Sequence, residues 1–157
     1  MSNINLKVGV LASHKGSLLL IKEINSKDKK YYWNIIKGTF DSEKDKDILA
    51  TAHREAIEEA GVKISIEGFL NIITKSKKGG ITIQINLIAN LTSKKLKIAS
   101  RGDQLKENED IREVKFYTKK ELRKMKKDDF MNERAFIAIR GWLNGKKNDI
   151  SLLKFCS

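Results

Sequence analysis

Gly38-Thr39-Phe40-Asp41-Ser42-Glu43-Lys44-Asp45-Lys46-Asp47 runs directly into Ile48-Leu49-Ala50-Thr51-Ala52-His53-Arg54-Glu55-Ala56-Ile57-Glu58-Glu59-Ala60-Gly61-Val62. The closing string, Arg-Glu-x-x-Glu-Glu-x-Gly-Val, puts three carboxylates and an arginine into six consecutive residues. At about 100° per residue, a helix here gathers Glu55, Glu58 and Glu59 into a stripe about 100° wide. Leu49, Ala52, Ala56, Ile57 and Ala60 take the opposite arc, which predicts a buried apolar face. His53 is expected on that packed side. Like charges at i, i+3 and i+4 disfavour a helix by about 0.2–0.5 kcal/mol per pair, so the crowding asks for a compensating purpose. A stripe of carboxylate oxygens is the ligand set of hard divalent cations, which commonly share it with substrate phosphates.

These residues resemble the signature box of the Nudix hydrolases, Gly-x5-Glu-x7-Arg-Glu-U-x-Glu-Glu-x-Gly-U, where U is a bulky aliphatic residue. Gly38, Arg54, Glu55, Glu58, Glu59 and Gly61-Val62 fall on matching positions. The family pattern places fourteen positions between glycine and arginine, and this chain has sixteen. Counting forward from Gly38 puts Lys44 where the first glutamate belongs, and counting back from Arg54 puts Lys46 there. Glu43 would reach the site if the inserted residues bulge. Ala56 stands where the pattern has an aliphatic residue. Around the box, Trp33-Asn34-Ile35-Ile36-Lys37-Gly38 is similar to the Trp-x-x-Pro-Lys-Gly approach of several members, with Ile36 in place of proline. Residues 110–122 are similar to the family's late strand and following helix.

The resemblance implies an α/β fold, a Nudix-type α/β/α sandwich with a mixed central sheet, over about residues 5–145 of a single domain spanning 1–157. It implies a hydrolase that cleaves the pyrophosphate bond of a nucleoside diphosphate linked to another group. Gly38, Glu55, Glu58 and Glu59 would hold Mg²⁺, with Mn²⁺ as the alternative. Arg54 would orient the carboxylates, and Glu58 is the general base favoured within the box. Glu113, with Glu109 behind it, is the candidate base outside it. Lys37 is the candidate phosphate contact and Trp33, beside Tyr31 and Tyr32, the candidate stacking surface. Two other readings remain open. One is a pyrophosphohydrolase of RNA 5′ ends, and the other is a catalytically weak nucleotide- or RNA-binding module, suggested by the lysine at the first glutamate position.

Composition bounds these readings. The chain has 157 residues, 40% of them hydrophobic, enough for one substantial core. It has no apolar run long enough to span a bilayer and no basic-then-apolar leader pattern. With one cysteine, Cys156, an internal disulfide is excluded. Cytoplasmic residence is the expectation that follows. The net charge of +12 suggests polyanionic partners. However, the lysines are scattered and lack interleaved aromatics for base stacking, so a small nucleotide derivative is favoured over RNA. Neither a membrane partner nor an oligomeric state is indicated.

Along the chain, alternation predicts strands around residues 6–12, 17–23, 32–36, 63–74, 81–89, 96–99 and 114–117. Helices are expected over 48–60, with Asp47 as N-cap and Gly61 at C′, over 119–125 and over 131–144. Trp142 is expected to anchor the core from the last helix. Arg101-Gly102-Asp103 matches an adhesion tripeptide but is too short to carry a function.

Overall fold

The computed structural model describes residues 3–93 and 110–156. The strand expected over 96–99, the Arg101-Gly102-Asp103 tripeptide and Glu109 lie outside them. The described elements are β1 (Asn3–His14), β2 (Ser17–Ile24), β3 (Tyr31–Asn34), β4 (Ile36–Thr39), α1 (Ile48–Ala60), β5 (Ile64–Lys77), β6 (Gly80–Leu91), β7 (Ile111–Tyr117), α2 (Lys119–Lys124) and α3 (Glu133–Leu143). One sheet joins all seven strands in the order β3-β2-β1-β6-β5, with β4 paired to β1 and β7 to β2. The sheet is mixed, because β1 and β6 run parallel while the other pairs are antiparallel.

Each face of the sheet closes a separate apolar cluster. On one side Ile48, Ala52, Ala56 and Ala60 of α1 pack on Val8, Val10, Ile21, Ile36 and Leu87. On the other, Ala138, Ile139, Trp142 and Leu143 of α3 pack on Leu11, Leu18, Leu20, Ile35 and Leu70. The expected α/β sandwich is what forms, and Trp142 is the core anchor it was expected to be.

Asp47 caps α1 by accepting a hydrogen bond from Ala50 N, and Gly61 ends the helix at φ 65°. There a left-handed residue lets its N–H reach back to the last carbonyls. The strand expected over 32–36 is two strands, broken at Ile35. Ile35 packs on the α3 side and its neighbour Ile36 on the α1 side. No described helix is long and apolar enough to cross a membrane.

The buried face of α1 keeps the expected Ala52, Ala56 and Ala60 but is rotated away from Ile57 and His53. Ile57 is 55% exposed and His53 is exposed, whereas Glu55 and Glu59 are 5% and 0% exposed. The short alanines at 52, 56 and 60 let α1 sit close to the sheet. This turns Glu55 and Glu59 toward the β4 edge and leaves Ile57 and His53 outside.

Candidate active site

The loop between β4 and α1 makes a turn on Asp41. Lys44 and Asp45 both donate their N–H groups to the Asp41 carbonyl, at 3.0 and 2.7 Å. The turn carries Asp45 inward, to 4% exposure. Its carboxylate receives Arg54 Nε at 2.9 Å, Arg54 Nη2 at 2.8 Å, Thr51 Oγ1 at 2.9 Å and Asp41 N at 3.3 Å. These bonds, chiefly those from Arg54, hold its pKa down to about 2.

Asp45, which lies between Lys44 and Lys46 and which the spacing did not single out, is the loop carboxylate that Arg54 binds. Glu43 is exposed and donates its N–H to Asp41 Oδ1, so it does not reach the site.

Arg54 spends the rest of its planar fork on the helix carboxylates. Nη1 donates to Glu55 Oε1 at 2.7 Å and to Glu58 Oε2 at 3.0 Å, and Nη2 also reaches the Thr39 carbonyl at 3.2 Å. A guanidinium with five donors in fixed geometry can do this, and a lysine cannot. Its pKa is raised, first by the bonds to Asp45. Gly38 makes room for the arrangement: a Cβ there would lie 1.8 Å from Glu55 Oε1.

Lys37 closes the other side. Its backbone N–H donates to Glu59 Oε2 at 3.0 Å, and its Nζ lies 3.1 Å from Glu23 Oε1 and 3.6 Å from Glu59 Oε1. Glu23 is a further acid absent from the sequence-based set. It is 8% exposed, and Asn34 Nδ2 donates to it at 2.7 Å. Lys7, Glu23, Lys37, Gly38, Arg54, Glu55 and Glu59 line one cleft of about 690 Å³.

Two expected site residues lie elsewhere. Glu113 pairs with Lys22 at 3.8 Å, opposite it in the β2–β7 register, so it projects from the face away from Glu23. Trp33 faces the same way, edge-on to Tyr117 with ring centres 5.0 Å apart and Lys22 Nζ 5.3 Å above it. It packs on the α3-side cluster rather than lining the carboxylate cleft. Tyr32 donates its hydroxyl to Asp28, while Tyr31 lies beneath Arg112.

The donor chemistry of the cleft suits a hard cation. Among the described residues, though, no group of three or more His, Cys, Asp or Glu is spaced to close around a metal ion. Here Arg54 and Lys37 are the cations held by the acids.

The NUDIX domain family model matches residues 5–138. The chain belongs to the NUDIX domain family. The hydrolase expected from the box stands with that membership. The structure is similar to a NUDIX hydrolase from Nitrosomonas europaea at 17% identity, covering 98% of each chain with a TM-score of 0.78. It is also similar to an ADP-ribose pyrophosphatase from Streptococcus suis at 14% identity, 90% coverage of each chain and TM-score 0.65. The NUDIX domain of Shewanella oneidensis NrtR, complexed with ADP ribose, is 14% identical and covers 92% of this chain and 88% of that one, with TM-score 0.65. At these identities the likeness is one of fold. No curated protein matches the chain in sequence.

Proposed function

We propose that this Nudix domain is a Mg²⁺-dependent, cytoplasmic hydrolase of a nucleoside diphosphate joined to a second group, of which ADP-ribose is one example. The observation that supports this most is the convergence of Glu55 and Glu59 from one helix, with Glu23 from β2, on a cleft that also holds Lys37 and Arg54, the arginine binding Glu58 beside it. Five carboxylates, those of Glu23, Asp45, Glu55, Glu58 and Glu59, share the cations of Lys37 and Arg54, which leaves a surplus of negative oxygen beside the cleft. Glu55, Glu58 and Glu59 would hold the divalent ion, with the carbonyl of Gly38, a residue of the cleft wall, as a further ligand. When bound, the ion supplies neutralisation of the diphosphate charge and activation of water.

The chain's own residues do the remaining work. Arg54 is a positioning residue: pinned by Asp45, it fixes Glu55 and Glu58 relative to each other. Lys37 Nζ, which lines the cleft, can meet a phosphate oxygen once it exchanges a contact to Glu23 or Glu59. Glu58, whose side chain is 32% exposed, is the most accessible of the three helix acids. It is the base assigned to take the proton of the attacking water, a step worth typically 10²–10⁴-fold.

The test is a panel of nucleotide derivatives, ADP-ribose among them, assayed for phosphate-ester products with Mg²⁺ or Mn²⁺, beside Glu58→Gln. The expected result is turnover of at least one diphosphate derivative, reduced about 10²-fold or more in the variant. Tight binding without turnover of any compound would overturn the hydrolase reading in favour of a binding module.

A further inference from the structure

The polar face of β6 is not turned to water. Thr82, Gln84 and Asn86 are 6%, 2% and 0% exposed, on the side of the sheet covered by α3. Gln84 and Asn86 form a relay in which each side-chain amide both donates and accepts. Arg134 Nε donates to Gln84 Oε1 at 3.0 Å, Gln84 Nε2 to Asn86 Oδ1 at 2.8 Å, and Asn86 Nδ2 to Asn71 Oδ1 at 2.8 Å. The packing above it is tight: a Cβ on Gly9 would fall 2.2 Å from Asn86 Oδ1. Satisfied buried amides are costly to assemble and rigid once assembled. This relay fixes one thing in space, the guanidinium of Arg134.

Lys7 is the register neighbour of Gln84 across the parallel β1–β6 pair, and its side chain lines the carboxylate cleft. Lys7 and Arg134 therefore flank the same glutamine. Neither has an ion-pair partner among the described residues, and Lys7 makes no hydrogen bond with its side chain there. The other cations of the cleft differ: Arg54 is spent on Asp45, Glu55 and Glu58, and Lys37 on Glu23 and Glu59. The Lys7 ammonium is pushed down first by burial, then by Lys37 and Arg134, with Glu55 and Glu59 opposing more weakly. Burial likewise lowers Arg134. Two half-buried cations held near each other repel, and a dianion between them would offset both the repulsion and the lost hydration.

We propose that Lys7 and Arg134, joined across Gln84, form an anion subsite that takes a phosphate monoester carried by the substrate in addition to its diphosphate. This rests on reading the adjacent cleft as the diphosphate site. It narrows the substrate class to nucleoside diphosphate derivatives with one further phosphate on either half. A neutral base or sugar would accept hydrogen bonds from the same two side chains but would leave their charges opposed.

Calorimetry without divalent ions decides the matter apart from catalysis. The probes are ADP-ribose, its 2′-phosphate and its terminal-ribose 1″-phosphate, titrated into the whole protein. At least one phosphorylated probe is expected to bind tenfold or more tightly than ADP-ribose. Lys7→Met and Arg134→Met should each bring that ratio below threefold, and Lys7→Arg, which keeps the charge, should retain it. Equal affinities in the unaltered protein, a ratio unchanged in both Met variants, or no binding of any probe would overturn the proposal. If the Met variants fail to fold, the unaltered protein and Lys7→Arg still decide it. A preserved preference without turnover in a parallel Mg²⁺ assay would overturn the hydrolase reading alone.

Discussion

The carboxylate cleft and the sheet face beside it hold the same kinds of charged group in opposite states of balance. At the loop end, Asp45, Arg54, Glu55 and Glu58 form a closed network in which every nitrogen of the arginine has an acceptor. On the sheet face, Arg134 gives one N–H to a neutral amide, and among the described residues neither it nor the neighbouring Lys7 has an ion-pair partner. The first arrangement is complete in the folded chain, because its job is to hold carboxylates still. The second has its scaffold complete and its charge uncompensated, the state expected of a surface that awaits a ligand. Chemistry that must be positioned is paired internally, and recognition is left open.

The sharpest way to break the loop end is Gly38→Ala. Its Cβ would land 1.8 Å from Glu55 Oε1, and Glu55 cannot move without leaving Arg54. A misplacement of this size near the chemistry is expected to lower kcat about 100-fold, read in a steady-state assay, with the fold retained by circular dichroism. Next is Asp45→Asn, which strips Arg54 of its buried counter-ion. Breaking such a pair is expected to destabilise the protein by about 3 kcal/mol, seen as a lower midpoint in urea. Glu43→Gln should not change that midpoint.

The same aspartate sets an acid response. Its folded pKa, about 2, lies below the ordinary carboxylate value of 3.8. The folded form therefore binds fewer protons than the unfolded chain between those values. The stabilisation from Asp45 is present above about pH 4 and is lost as pH falls toward 2. Unfolding free energy measured from pH 5 to pH 2 should fall more shallowly in Asp45→Asn than in the unaltered protein. The smallest effect belongs to Glu113→Gln. That residue shares the Lys22 and Trp33 face, as half of an exposed ion pair. Turnover is expected to change less than about twofold, since such pairs are worth about 0–1 kcal/mol. A loss of tenfold or more would return Glu113 to the site.

What the sequence disclosed and what it hid follow from how far each signal reaches. The bounds of α1, its Asp47 cap and its Gly61 stop depend on residues within a turn of one another, so composition and spacing reveal them. Arg54 reaching Glu58 is an i, i+4 contact and equally local. Asp45 was hidden because its role depends on the loop path, which counting from either end cannot supply. Glu113, the candidate base outside the box, has its face set by strand register, which spacing along the chain does not supply. The β2–β7 register shifts between Lys22 and Glu23, and at such a bulge one residue changes which face its neighbours present. His53 and Ile57 were assigned to the packed side from a helical wheel that treated the carboxylates as solvent-facing. The cleft reversed that choice by burying Glu55 and Glu59. The polar alternation of β6 was read correctly as a strand, but alternation alone does not say whether its polar side meets water or a helix. Here it meets α3 and Arg134.

The most direct measurement of the central claim is equilibrium binding of Mn²⁺, followed by electron paramagnetic resonance, to the unaltered protein and to Glu58→Gln. If Glu55, Glu58 and Glu59 hold a catalytic divalent ion, the unaltered protein binds Mn²⁺ in competition with Mg²⁺ and the variant binds it at least tenfold more weakly. Equal binding by both proteins, or none by either with the diphosphate substrate present, would contradict it.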